Sequence, residues 1–141
     1  MDVEKKIKDI YNISFDLADI SKEDRCSMHD WYNNLIDKTF NQLDLFDVTR
    51  MLIQKMFLEL AALKAISFIK ENPFCGQRYE SELLELLCKL DRCYLKKYTV
   101  ELEEILRDAL IKNKEYDWLC EDERKEFSDL ICSFLKKLQT E

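Results

Sequence analysis

A single glycine, a single proline and a single histidine in 141 residues exclude a good deal. Sheet-rich folds need many tight turns, and turns draw on residues that tolerate positive φ or preset it. With one of each, the chain is expected to be all-α: a single compact bundle of five to seven helices, one domain over 1–141. A phosphate-cradling loop needs several glycines so that backbone N–H groups can approach the anion, and one cannot supply it. Lone His29 cannot build a zinc site without three cysteines, nor a di-iron centre, which needs repeated Glu-x-x-His. No metal and no cofactor are expected. No apolar run nears the roughly 20 residues of a membrane span. Met-Asp-Val-Glu-Lys-Lys opens the chain with no apolar stretch behind it, so no secretory leader is expected.

An excess of positive charge is also missing. Twenty-two basic residues face 29 acidic ones, for a net charge of −7. Nucleic-acid binders concentrate basic residues on one face, and anionic lipid repels an acidic protein. Neither nucleic acid nor membrane is an expected partner, whereas a basic protein surface is. The expected location is the cytoplasm, where the six cysteines stay reduced. Cys88, Cys120 and Cys132 lie among apolar neighbours and read as small core residues.

What is present has helical spacing. Val3, Ile7, Ile10, Tyr11, Ser14 and Phe15 mark one stripe over residues 2 to 18. Ser27, with Asp30 three residues on, is placed to cap a second helix reaching about Gln42, with Trp31, Leu35, Ile36 and Phe40 inward. Asp47 then reads as the cap of a hydrophobic central helix over about residues 48–71, apolar on most sides and so surrounded by others. It must end near Asn72, ahead of Pro73. Pro73-Phe74-Cys75-Gly76 marks the best-defined loop. Further helices are expected over Ser81 to Leu90, from a Thr99 cap to Asn113, and from about Glu121 to Leu138.

Chemistry has few candidates. A His29–thiol pair is weighed against a solvated histidine at a polar helix start, and the second fits better. Arg50 and Gln54, four apart on the central helix, need polar partners there; with Asp47 they suggest a structural polar network. Two acidic segments suit an interface. Tyr79, Glu80, Glu82 and Glu85 follow the loop at Pro73. Glu115, Tyr116, Asp117, Trp118, Glu121, Asp122, Glu123 and Glu126 set carboxylates among aromatic rings, the residue types that anchor interfaces. Carboxylates in a first helical turn also simply suit the helix dipole.

One stretch carries a resemblance. Trp31-Tyr32-x-x-Leu35-Ile36-Asp37-Lys38 is followed by Asp47-Val48-x-Arg50-x-x-x-Gln54-x-x-Phe57-Leu58. Then comes Asn72-Pro73-Phe74-x-Gly76-x-x-Tyr79-x-x-Glu82-Leu83-Leu84. This resembles the immunity proteins of bacterial contact-dependent growth inhibition (CDI) systems, often called CdiI. Where that family tends to have Gly-Glu-x-Tyr-Asp-Gly-Glu-Leu-Leu, Gln77, Glu80 and Ser81 replace the Glu, the Asp and the second Gly. The resemblance implies a non-enzymatic protein that neutralises the C-terminal toxin domain of a CdiA-type effector, commonly a nuclease. Together with the acidic balance, it leads to the expectation of a 1:1 complex with a basic toxin domain, the two acidic segments supplying toxin-binding residues. If the shared motif serves the fold, the contact surface shifts toward Tyr116 to Glu126 or the N-terminal helix. The competing expectation is a helical adaptor or regulatory subunit for an endogenous protein.

Overall fold

A computed structural model of the chain describes residues 2–139. Among them all regular structure is helical: α1 (Ile7–Ile10), α2 (Ser27–Ile36), α3 (Leu45–Gln54), α4 (Leu58–Glu71), α5 (Glu82–Cys88), α6 (Thr99–Asn113) and α7 (Glu121–Gln139), with short 3₁₀ turns between. The all-α expectation holds. The chain forms two compact units, Met1–Asp47 and Val48–Glu141.

In the first unit the expected helix over residues 2 to 18 is reduced to α1. Asn12 takes φ 53°, which ends helical propagation, and Leu17–Asp19 is a separate 3₁₀ turn. A helix of one turn has no propensity of its own, so α1 depends on its contacts. Ile7 is buried and its N–H donates to Lys38 O at 3.0 Å. Lys6 and Lys8 both reach Asp37, at 3.1 and 2.9 Å. Helix α2 starts at Ser27 as expected but is capped differently. Cys26 N–H donates to His29 Nδ1 at 3.1 Å, and His29 N–H donates back to Cys26 O. The helix stops at Ile36, and Phe40–Gln42 is a 3₁₀ turn on its own. Leu35 and Ile36 are buried, while Trp31 and Phe40 are only half-buried.

Asp47 is not a cap. It is the third residue of α3, and the cap is Asp44. Asp44 Oδ1 accepts Asp47 N–H at 2.8 Å, and Asp47 Oδ2 accepts Asp44 N–H at 3.2 Å. This is the reciprocal capping box, with aspartate in both places. The buried Asp47 carboxylate also accepts Trp31 Nε1–H at 3.0 Å and Lys38 Nζ–H at 2.6 Å. Burial alone raises its pKa, but the bonds from Lys38, Asp44 and Trp31 outweigh it and hold the carboxyl below its ordinary 3.8. A lowered pKa means stability that is full above about pH 4 and lost as pH falls through the folded value. Asp47→Asn is therefore expected to lose roughly 1–3 kcal/mol near pH 7 and to show a flatter decline than the native chain between pH 5 and 3. Urea midpoints across that range check both. Asp47 thus draws Trp31, Lys38 and Asp44 into its network, and Gln54 is solvent-exposed at the end of α3.

In the second unit the expected central helix is divided into α3 and α4. Helix α3 closes on a Schellman pair: Met56 N–H donates to Met51 O at 2.9 Å and Lys55 N–H to Leu52 O at 3.4 Å. The C′ position of that motif is left-handed and usually glycine; here Lys55 fills it at φ 58°, and Phe57 at φ 48° leads into α4. The division lets two differently facing apolar sets both reach the interior, Val48, Met51 and Leu52 from α3, and Leu60, Ala61, Ala65, Ile66 and Ile69 from α4. They join Leu83, Leu84, Leu87, Leu102, Leu106, Phe127, Ile131 and Phe134 in the unit's core. Helices α6 and α7 pack as a hairpin, and α4 packs on α5 and α6. Thr99 is the first residue of α6 and its hydroxyl bonds back to Lys96 O, so it is not the expected cap. Among the six free cysteines, Cys120 and Cys132 are exposed and Cys88 half-buried, so none is a full core residue.

Candidate functional site

The Pro73–Ser81 loop between α4 and α5 is tied by one side chain. Glu82 is 0% exposed. Its Oε1 accepts Gln77 N–H at 3.1 Å and Arg78 N–H at 3.0 Å, and its Oε2 accepts Arg78 Nε–H. Gly76 has a different constraint, space: a Cβ there would stand 1.8 Å from Tyr79 O. Ser81, where the resembled pattern has glycine, takes φ 63°, and its N–H donates to Phe74 O at 2.8 Å. The serine adopts the left-handed conformation and the loop closes. Leu83 and Leu84 drop into the core. Gly-x-x-Tyr-x-x-Glu-Leu-Leu is thus in large part a folding motif. Glu82, expected on the contact surface, is withdrawn from it, since its oxygens already serve the loop.

The Lys114–Cys120 loop, joining α6 to α7, packs on the first loop. Tyr116 stacks on Phe74 with ring centroids 3.8 Å apart, and Trp118 meets Phe74 edge-on at 5.7 Å. Asn113, 4% exposed, accepts Trp118 Nε1–H at 2.7 Å and donates to Arg124 O at 3.0 Å. Arg124 returns a bond to Asn113 O and holds Glu121 at 3.0 Å. Burial first, and then the hydrogen bond to Glu80, raise the pKa of the Tyr116 hydroxyl.

These two loops make one site of the two acidic segments. A groove of about 790 Å³ runs between α5 and the first half of α7. Trp118, Phe127, Leu130 and Cys88 give it apolar surface, while Glu80, Glu85, Asp117, Glu123 and Glu126 supply five carboxylates against Lys89. Glu85 is engaged by Lys89 at 3.2 Å and Tyr79 Oη at 3.0 Å. Glu80, Asp117, Glu123 and Glu126 have no cation within ion-pair distance among the described residues. Glu121 and Asp122 are exposed at the start of α7 outside the groove. Glu126 lines the groove with the other acidic residues, whereas the sequence expectations omitted Leu119, which also lines it and is 97% exposed. Leu119 belongs to no apolar periodicity, so no pattern signals it.

His29 does meet a thiol, with Nδ1 at 3.6 Å from Cys26 Sγ, but the pair sits at the exposed start of α2 and its ring nitrogen closes the helix cap. Burial pushes the Cys75 thiol up to about 11, against thiolate formation. Among the described residues no group of three or more His, Cys, Asp or Glu is placed to hold a metal ion. No described helix is long and apolar enough to cross a membrane.

Residues 9–105, more than half of the chain, match the family model of CDI immunity proteins. The chain belongs to that family. As a CDI immunity protein it has a cognate CDI toxin domain as its binding partner. The matched residues of this immunity protein include the Pro73–Ser81 loop and the α5 wall of the groove, and they end before the Lys114–Cys120 loop. No curated protein and no solved structure matched the chain.

Proposed function

We propose that this immunity protein, acting as one domain over 1–141 in the cytoplasm, binds its toxin domain 1:1 and neutralises it without a reaction of its own. The toxin is a nuclease. The groove between α5 and α7 lies against its basic substrate surface and excludes the nucleic acid, either at the active site or beside it. The family match over residues 9–105 carries the proposal of a toxin partner. Four groove carboxylates with no cation within ion-pair distance among the described residues support the basic character of the surface they meet, because charges left unpaired in one protein are available to complement another. The partner's Lys and Arg side chains supply the missing cations. Tyr79 and Tyr116, both bonded to groove carboxylates, hold the acidic rim in place.

Co-expression tests the proposal directly. The C-terminal domain encoded by the neighbouring reading frame is induced with and without this chain. Survival only when both are present, with a 1:1 complex on co-purification, is the expected result. Death of the co-expressing cells, or separate elution of the two proteins, rules the immunity function out and leaves the endogenous-adaptor alternative.

A further inference from the structure

We propose that Leu119 is the apolar anchor of the toxin interface, seated in an apolar pocket of the toxin domain that is ringed by Lys and Arg side chains. This rests on the toxin-binding function proposed above and specifies which residue sets the complex's lifetime.

A lone exposed leucine is ordinary on any protein surface. Two things set Leu119 apart. The first is rigidity. The residue before it, Trp118, is fixed by its indole bond to buried Asn113 at 2.7 Å, and Trp118 N–H donates to Tyr116 O at 3.0 Å. Tyr116 in turn is stacked on buried Phe74 at 3.8 Å. A side chain that is 97% exposed thus projects from a loop already ordered. Preorganisation removes the ordering cost that a mobile loop would meet on binding. Val100 and Ile111 are also exposed, at 72% and 65%. Both lie on α6, and neither lines the groove between α5 and α7.

The second is charge. Leu119 lies on the same groove as Asp117, Glu123 and Glu126, none of which has a cationic partner among the described residues. An apolar side chain beside unpaired carboxylates is complementary to an apolar pocket with a cationic rim. Interface hot spots have this arrangement: a central desolvated contact ringed by polar groups that keep water out.

The test uses the full chain and the purified C-terminal domain from the neighbouring reading frame, followed by surface-bound kinetics. Leu119→Ala is expected to raise Kd about 30-fold, the loss typical of a hot-spot truncation. The change should lie in the dissociation rate, with the association rate and its salt dependence unchanged because no charge is altered. Val100→Ala and Ile111→Ala should bind within about twofold of the native chain. Thermal melting of Leu119→Ala should match the native protein, since an exposed side chain contributes no burial. Binding by Leu119→Ala within twofold of native overturns the anchor while leaving the toxin-binding function intact. Failure of the native chain to bind that domain overturns both.

Discussion

Neutralising Glu80, Asp117, Glu123 and Glu126 together (to Gln, Asn, Gln and Gln) is expected to slow association with the toxin domain on the order of a hundredfold at low ionic strength. These carboxylates sit on one groove, with no ion-pair partner among the described residues. Long-range attraction to a basic surface acts before contact, so it governs encounter more than residence. Salt is the internal control. Screening shortens from about 10 Å at 0.1 M to about 3 Å at 1 M, so native and variant rates should converge as salt rises. A second variant separates the groove from the bulk charge. Neutralising Glu59, Glu71, Glu103 and Glu104, which lie on α4 and α6 and do not line the groove, changes net charge equally. It should slow association only a few-fold. Equal slowing by the two variants would show that net charge of −7 matters and the groove does not.

The second large effect is on stability. Glu82→Gln is expected to lower unfolding free energy by about 3 kcal/mol. The carboxylate is fully buried and accepts two backbone N–H groups and the Arg78 guanidinium. Glutamine keeps the shape but puts an NH₂ where an acceptor stood, so buried donors face a donor. For a chain of this size that corresponds to a fall in Tm of roughly 6–12 °C. Arg78→Ala should cost much less, because the Arg78 side chain is 62% exposed and both backbone donors remain. Gly76→Ala should destabilise comparably to Glu82→Gln, since the added methyl meets Tyr79 O at 1.8 Å and backbone must shift. A Glu82→Gln melting temperature within 2 °C of native would show that the loop does not depend on this carboxylate.

Much of the architecture was readable from periodicity. Helices α5, α6 and α7 lie within a residue or two of their expected limits because their apolar residues recur at three and four. The stop at Asn72 follows from Pro73. Where expectation failed, local signals were silent or misleading. The division between α3 and α4 has neither glycine nor proline to mark it. Lys55 and Phe57 take left-handed conformations that their side chains disfavour, and only the burial gained on both sides explains why. Asp47 resembled a cap because an aspartate preceding an apolar run usually is one; Asp44, three residues earlier, takes that place.

The contact residues divide similarly. The family pattern in Pro73–Leu84 was visible in the sequence, yet one of its glutamates serves the loop and not the surface, which spacing cannot reveal. Leu119 has no periodicity to betray it, and only the fixed loop makes its exposure meaningful.

By itself the sequence determined an acidic, all-helical chain with the repeating apolar stripes of at least three helices, and it carried the marks of its family. These are local or compositional properties, set by residues close together along the chain. Tertiary structure alone decided that two acidic segments some 35 residues apart share one groove, that Glu82 is buried while Glu80 is not, and that a single leucine stands out from a rigid loop. The physical reason is that burial and charge pairing depend on which side chains meet across the fold, and no spacing along one helix encodes that.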